Sequence, residues 1–331
     1  MLYRKSRLLN IPSIAFIAVV LSAVVCGGCS GETLTQSPQD TVADSGEARI
    51  IVTRDFGREL MFDEVIKLDD DTSAMEALGQ VAEIKTTYGG GFVDTIEGIS
   101  SRYSGSSSGR EDWFVYFNGI QADVGALDYT LCPGDVEHWD FRDWSFHHFI
   151  PAVIGDFPEP FIHGYEGEVG QVFVMYQDNL KEEADTVSEY LLRSGVPEVT
   201  VTPRLSESEQ ESGNIILLGD MDYEPVAELN DVWKRLGFYA CFEEGKLLVF
   251  DFKGNVAAEY GTGSGVIQAT QNPWNPRGIG VCENVVWMLS GVDEAGVKMA
   301  VDAFVGNSSE FRYACAAVVA DGEISIIPPA G

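Results

Sequence analysis

Apolar and polar positions follow two periods along this chain, and the change of period divides it. Residues 49–53 and 60–68 alternate as strands, the period of a pleated backbone. Asp55-Phe56-Gly57 between them gives a hairpin turn. Met75, Leu78 and Val81 recur at helical spacing and predict a helix over 74–81, opened by Asp71-Thr72-Ser73. Further strands are expected at 92–99, at 113–118 ending in Asn118-Gly119, and at 136–141 after the turn Pro133-Gly134-Asp135. Two strands, a helix and then more strands is the order of a β-grasp fold.

From Val169 onward, strand and helix patterns alternate. Strands are expected at 171–176, 199–202, 214–218, 239–243, 247–250, 266–269, 285–289, 313–319 and 324–327, and helices at 182–193, 225–236 and 293–304. Such alternation favours a sheet covered by helices. The expected fold class is therefore α+β. A β-grasp (ubiquitin-like) domain at 48–152 is followed by a Gly- and Pro-containing linker at 153–168, then by an α/β domain with a helix-covered sheet at 169–331. About a hundred residues support one core, so residues 45–152 are expected to fold alone.

The N-terminus changes the picture. Arg4, Lys5 and Arg7 precede an uncharged apolar run at 14–25. As a helix that run would span roughly 18 Å, short of the roughly 30 Å hydrocarbon core, so it reads as a signal peptide. Cys26-Gly27-Gly28-Cys29-Ser30 resembles the lipobox of bacterial lipoproteins. That resemblance implies a signal peptide at 1–28, lipidation of Cys29, and a location on the extracytoplasmic face of the cell membrane. Residues 29–47 are polar and without periodicity, a flexible tether with a reach on the order of 20 Å. With 21 basic and 52 acidic residues the net charge is −31. That balance excludes nucleic acid, whose phosphates need Lys and Arg, and leaves the lipid to do the anchoring. Cys132, Cys241, Cys282 and Cys315 show no paired metal-ligand spacing. Cys282 and Cys315 can be a disulfide or free buried thiols.

Four segments occur in a set order: D-D-D-T-S-A-M-E-A-L at 69–78, Y-G-G-G-F-V-D-T-I-E-G-I at 88–99, W-F-V-Y-F-N-G at 113–119 and P-G-D-V-E-H-W at 133–139. Together they resemble the DUF4430 family, similar to the C-terminal domain of transcobalamin and intrinsic factor. The resemblance implies a β-grasp domain. In the vertebrate carriers this domain covers one face of cobalamin, which makes a corrinoid the expected ligand and a membrane transporter the expected partner. The helical barrel that completes the vertebrate site has no counterpart after residue 160.

The chemistry of this stretch is aromatic and polar. Tyr88, Trp113, Tyr116, Tyr129, Trp139 and Trp144 offer flat surfaces for a planar ligand, and Asn118-Gly119 offers backbone N–H groups at a strand end. Tyr88, Trp113, Asn118, Tyr129, Trp139 and Trp144 are thus the candidate ligand-binding residues. Because one set of alternating residues in 113–117 must face the core, the loop aromatics Tyr88 and Trp144 are the better candidates, and Trp113 is expected to be core. His138, His147, His148 and His163 cluster in sequence, but the adjacent pair would point apart in an extended strand. No Ser-His-Asp order, H-E-x-x-H or P-loop pattern occurs. No enzyme activity, catalytic residue, metal or intrinsic cofactor is expected. N-P-W-N-P at 272–276 and V-V-W-M-L-S-G-V-D-E-A-G-V-K-M-A-V at 285–301 are similar to segments of surface-layer-associated proteins. That likeness implies an extracellular setting. It motivates the alternative to ligand capture, a cell-surface interaction or scaffold lipoprotein without a small-molecule ligand.

Overall fold

A computed structural model describes residues 46–102 and 109–330. The segments expected to be a signal peptide and a tether lie outside the described residues, Cys29 included, except for residues 46 and 47. The first hairpin forms as its pattern predicts: β1 (Glu47–Arg54) pairs antiparallel with β2 (Glu59–Lys67). The turn between them needs glycine at position 57. Its φ is +82°, and a Cβ there would lie 1.9 Å from the Tyr313 carbonyl oxygen. Helix α1 (Ala74–Val81) is opened by a capping box: the Ser73 hydroxyl accepts from the Glu76 N–H, and the Glu76 carboxylate accepts from the Ser73 N–H at 3.0 Å. Ala74, Met75, Ala77 and Leu78 form its buried face. Next come β3 (Ile84–Thr87), β4 (Phe92–Ile96) and β5 (Ile99–Ser100), a small antiparallel sheet. β6 (Glu111–Phe117), β7 (Ile120–Gln121) and β8 (Val136–Asp143) complete a five-stranded sheet ordered β2-β1-β8-β6-β7, in which β1 and β8 are parallel.

The second half contributes β9 (Val172–Tyr176), α2 (Lys181–Arg193), β10 (Val199–Thr202), α3 (Glu207–Ser212), β11 (Asn214–Asp220) and α4 (Glu224–Asp231). The hairpins of β12 (Ala240–Glu243), β13 (Lys246–Phe250) and β14 (Val256–Tyr260) follow, then β15 (Gly265–Gln271), β16 (Val285–Gly291), α5 (Glu294–Gly306), β17 (Ala316–Ala320) and β18 (Glu323–Ile327). A seven-stranded sheet runs β10-β9-β11-β16-β15-β17-β18. Its first four strands are parallel and the rest antiparallel. α2 and α5 pack on one face. α4 packs against β11, and the β12–β14 sheet shares an apolar cluster with the opposite face. The described protein is thus mixed α and β, and rich in sheet.

Of residues 153–168, expected to be a linker, 153–165 are largely interior instead, and only Glu166, Gly167 and Glu168 are exposed. Ile154 and Phe161 are fully buried. They belong to one apolar core with Ile50 and Trp139 of the first sheet and Val174 and Trp287 of the second. Ile154 and Gly155 donate backbone hydrogen bonds to Cys315 and Ala314. Gly155 is there for close approach, not flexibility: a Cβ would lie 2.1 Å from the Tyr313 carbonyl carbon. The described chain from residue 46 onward forms one compact unit. The four described cysteines are free, so Cys282 and Cys315 are not paired.

Strand β8 is covered on both faces. Trp139 and Phe141 enter the apolar core, while His138, Asp140 and Arg142 point the other way and are buried as well. His138 Nδ1 lies 2.8 Å from Asp156, and its Nε2 lies 2.8 Å from the Thr53 hydroxyl. That hydroxyl donates to Asp140 at 2.9 Å, so it must accept from His138. Both ring nitrogens then carry protons. Burial pulls the His138 pKa down, but the Asp156 charge and hydrogen bond outweigh it, and the net shift is upward. Next to it, burial pushes the Glu137 carboxyl up to about 8, although it accepts from the Trp139 indole N–H at 2.6 Å.

Both shifts have one sign. A base or an acid whose folded pKa exceeds its unfolded value contributes most at low pH, and that contribution is lost as pH rises through the folded pKa. His147, lowered to about 4 by burial, loses its contribution only as pH falls below its unfolded value. Between about pH 6.5 and about pH 8.5 the melting temperature is therefore expected to fall, by about 3–5 °C. Glu137→Gln should remove part of that fall. Thermal melts at the two pH values check this, and a melting temperature that climbs with pH would contradict it.

Candidate functional site

Tyr88 and Gly91, at the turn before β4, and Phe92 and Val93 of β4 form one side of an open cleft of about 870 Å³. Strand β6 supplies Asp112, Trp113, Phe114 and Val115, β8 supplies Trp139, and the chain after β8 supplies Trp144 and His148. Gln121, Ala122, residues 124–126 and Met75 of α1 close the remaining side. The size falls within the roughly 300–1,000 Å³ of small-molecule sites.

Four of the six candidate residues meet here: Tyr88, Trp113, Trp139 and Trp144. Their burial differs. Tyr88 is 86% exposed at the mouth, held edge-on to Phe92 with ring centroids 6.2 Å apart. Trp144 is half-buried and meets His148 edge-to-face at 5.4 Å. Trp113 and Trp139 are buried at the inner end. Trp113 donates its indole N–H to the Ile99 carbonyl at 3.0 Å and packs on Phe141.

Asn118 and Tyr129 do not belong to the cleft. Asn118 is fully buried, where it accepts from the Val136 N–H and donates to Asp135 and the Gly164 carbonyl. Its side chain fastens the turn after β6, which leaves nothing to offer a ligand. Tyr129 is buried and stacked on Phe117 at 3.6 Å, and its hydroxyl accepts from the Glu166 N–H. Tyr116 is buried on the opposite side of the sheet, near Arg142.

Phe92, Phe114 and Asp112, which no motif marks as ligand-binding in the sequence, also line the cleft. Phe114 alternates with Trp113, yet both line the cleft. Burial pushes the Asp112 carboxyl up, and the hydrogen bonds from the Trp113 N–H (2.8 Å) and Ser101 offset this in part. The four histidines are dispersed. His138 faces Asp156, His147 donates to the Phe238 carbonyl, His163 meets Glu159, and His148 alone reaches the cleft. Among the described residues, no three His, Cys, Asp or Glu side chains converge as a metal site would require.

The two ends of the cleft respond differently to truncation. Trp113→Ala removes a buried ring and should destabilise the protein by about 3–5 kcal/mol. Tyr88→Ala removes an exposed one and should stay within about 0.5 kcal/mol. Denaturant titration of both variants checks this; equal losses would refute the assignment of Tyr88 to the mouth.

No curated protein matches the chain. A solved structure from Ruminococcus gnavus ATCC 29149, provisionally named a metal binding protein, is 17% identical and covers 29% of this chain and 96% of its own. Its TM-score of 0.23 is too low to bear on fold or ligand. Residues 71–143, from the cap of α1 to the end of β8, match the family model described as Domain of unknown function (DUF4430).

Proposed function

We propose that this protein is a lipid-anchored extracytoplasmic binding protein that takes a flat ligand in the aromatic cleft and passes it to a membrane transporter. The leading ligand is cobalamin or a related corrinoid. One observation carries the reading: aromatic side chains from separate elements converge on a single cleft, with Tyr88 left exposed at its mouth. A tyrosine this exposed adds little to the core, and its ring provides a flat face for stacking. Lipidation of Cys29 would hold the protein at the membrane, with the polar tether lifting the cleft away from it.

The finer architecture belongs to the same reading. The pairing of β1 with β2 and its parallel alignment with β8, with α1 packed on β1 and β2, support a β-grasp arrangement for the first sheet. A helix-covered α/β arrangement for the second sheet is supported by α2 and α5 on one face. The cleft lies wholly within residues 75–148, so the second half acts here as support.

Titration of the purified protein with cobalamin, followed by the quenching of tryptophan fluorescence, tests the reading. Saturable binding is expected, and Tyr88→Ala and Trp144→Ala should each weaken it several-fold, since one stacked ring contributes about 1 kcal/mol. Absence of binding at high micromolar cobalamin would remove the corrinoid and favour the scaffold alternative.

A further inference from the structure

The charge distribution around the cleft bears on which flat ligands it accepts. Its lining includes the aromatic rings of Tyr88, Phe92, Trp113, Phe114 and Trp144. Aromatic faces are negative and attract cations. The carboxylate in the lining is Asp112, and no Lys or Arg is among the described lining residues. Asp112 accepts hydrogen bonds from the Trp113 N–H and from Ser101. A carboxylate has roughly four acceptor positions, so it retains capacity for a donor from a ligand.

Two guanidinium groups lie close by, and both are already held on rings. Arg142 sits 3.9 Å from the Phe114 centroid, buried behind the sheet beside Asp140. Arg110 lies 5.6 Å from the Trp144 centroid. They show that the rings of this region engage cations, and neither is part of the cleft lining. A net charge of −31 adds a long-range field of the same sign.

We propose that the cleft selects organic cations, flat ligands with a positively charged nitrogen directed at Asp112, over anions of the same shape. The inference rests on the cleft being the ligand site and adds the charge class of the ligand. A corrinoid fits it only if the edge turned inward offers donors, not acidic groups.

Three tricyclic probes of matched size separate the two ideas: 10-methylacridinium as cation, acridone as neutral, and anthracene-2-sulfonate as anion. Fluorescence titration of the purified protein is expected to rank them in that order, with the cation about tenfold tighter than the anion. Asp112→Asn should reduce that ratio to about threefold or less while acridone binding is retained. In the unmutated protein the ratio should also fall as salt is raised, a readout that does not depend on the variant folding. Equal affinity for all three probes would overturn the charge inference and leave the cleft as a flat-ligand site. Binding of none of them would overturn both. A cation preference that persists undiminished in a folded Asp112→Asn protein would overturn the role given to Asp112.

Discussion

The structure depends on a polar strand face that is buried. On β8, His138, Asp140 and Arg142 point away from the apolar core, yet all three are nearly inaccessible. Charges in such a place are costly unless each has a partner. Partners for His138 and Asp140 come from two distant parts of the chain: Thr53 and Gly57 around the first hairpin, and Asp156 from the segment that leads into the second half; Arg142 meets Asp140 of its own strand at 3.7 Å and lies over the Phe114 and Tyr116 rings. Cys315 and Tyr313 lie against the same cluster. Around it, Asp63 of β2 receives Arg49, Arg312 and the Tyr313 hydroxyl. The first sheet therefore cannot present this face to anything but the second half. A buried ion pair adds little net stability by itself, but removal of one side leaves the other uncompensated. The network thus specifies which surfaces meet, while the shared apolar core supplies the driving force.

This arrangement also explains the cleft. Trp139 and Phe141 occupy one face of β8 because the polar residues take the other, and Trp113 on β6 packs against Phe141. The inner end of the cleft is fixed by that packing. The outer end, at Tyr88 and Trp144, is built on turns whose rings need not fill the core. A rigid floor with an exposed aromatic mouth suits recognition of a flat ligand, since stacking asks for area and placement more than for many hydrogen bonds.

Much of the local structure is legible in the sequence because it depends on local chemistry. The capping box at Ser73 and Glu76, the periodicity of α1 and the β-branched runs of β11 and β16 each announce themselves. β14 does not, because Val256–Tyr260 is largely exposed and shows no strong alternation. β8 misleads in a different way. V-E-H-W-D-F-R alternates like a strand with one face in water, and only its distant partners at 53, 156 and 313–315 reverse that. The same non-locality hid the role of residues 153–168, where Gly and Pro suggest a loose connection but allow close packing on 313–315. Within the site, Tyr88 and Trp144 could be picked out by their position at strand ends. Asn118 could not be excluded from sequence, because Asn-Gly marks a turn without saying where the amide points. Its amide turns inward to Asp135 and Gly164.

The most direct test of this account compares the unfolding of residues 46–331 with that of residues 45–152 expressed alone. If the buried face of β8 and the shared core bind the two sheets into one body, the longer chain unfolds in a single cooperative transition by calorimetry. The shorter fragment then shows none, because it exposes His138, Asp140 and Arg142 without Asp156 and the 313–315 segment. A fragment that melts cooperatively near the temperature of the longer chain would contradict the account and restore an independent N-terminal domain.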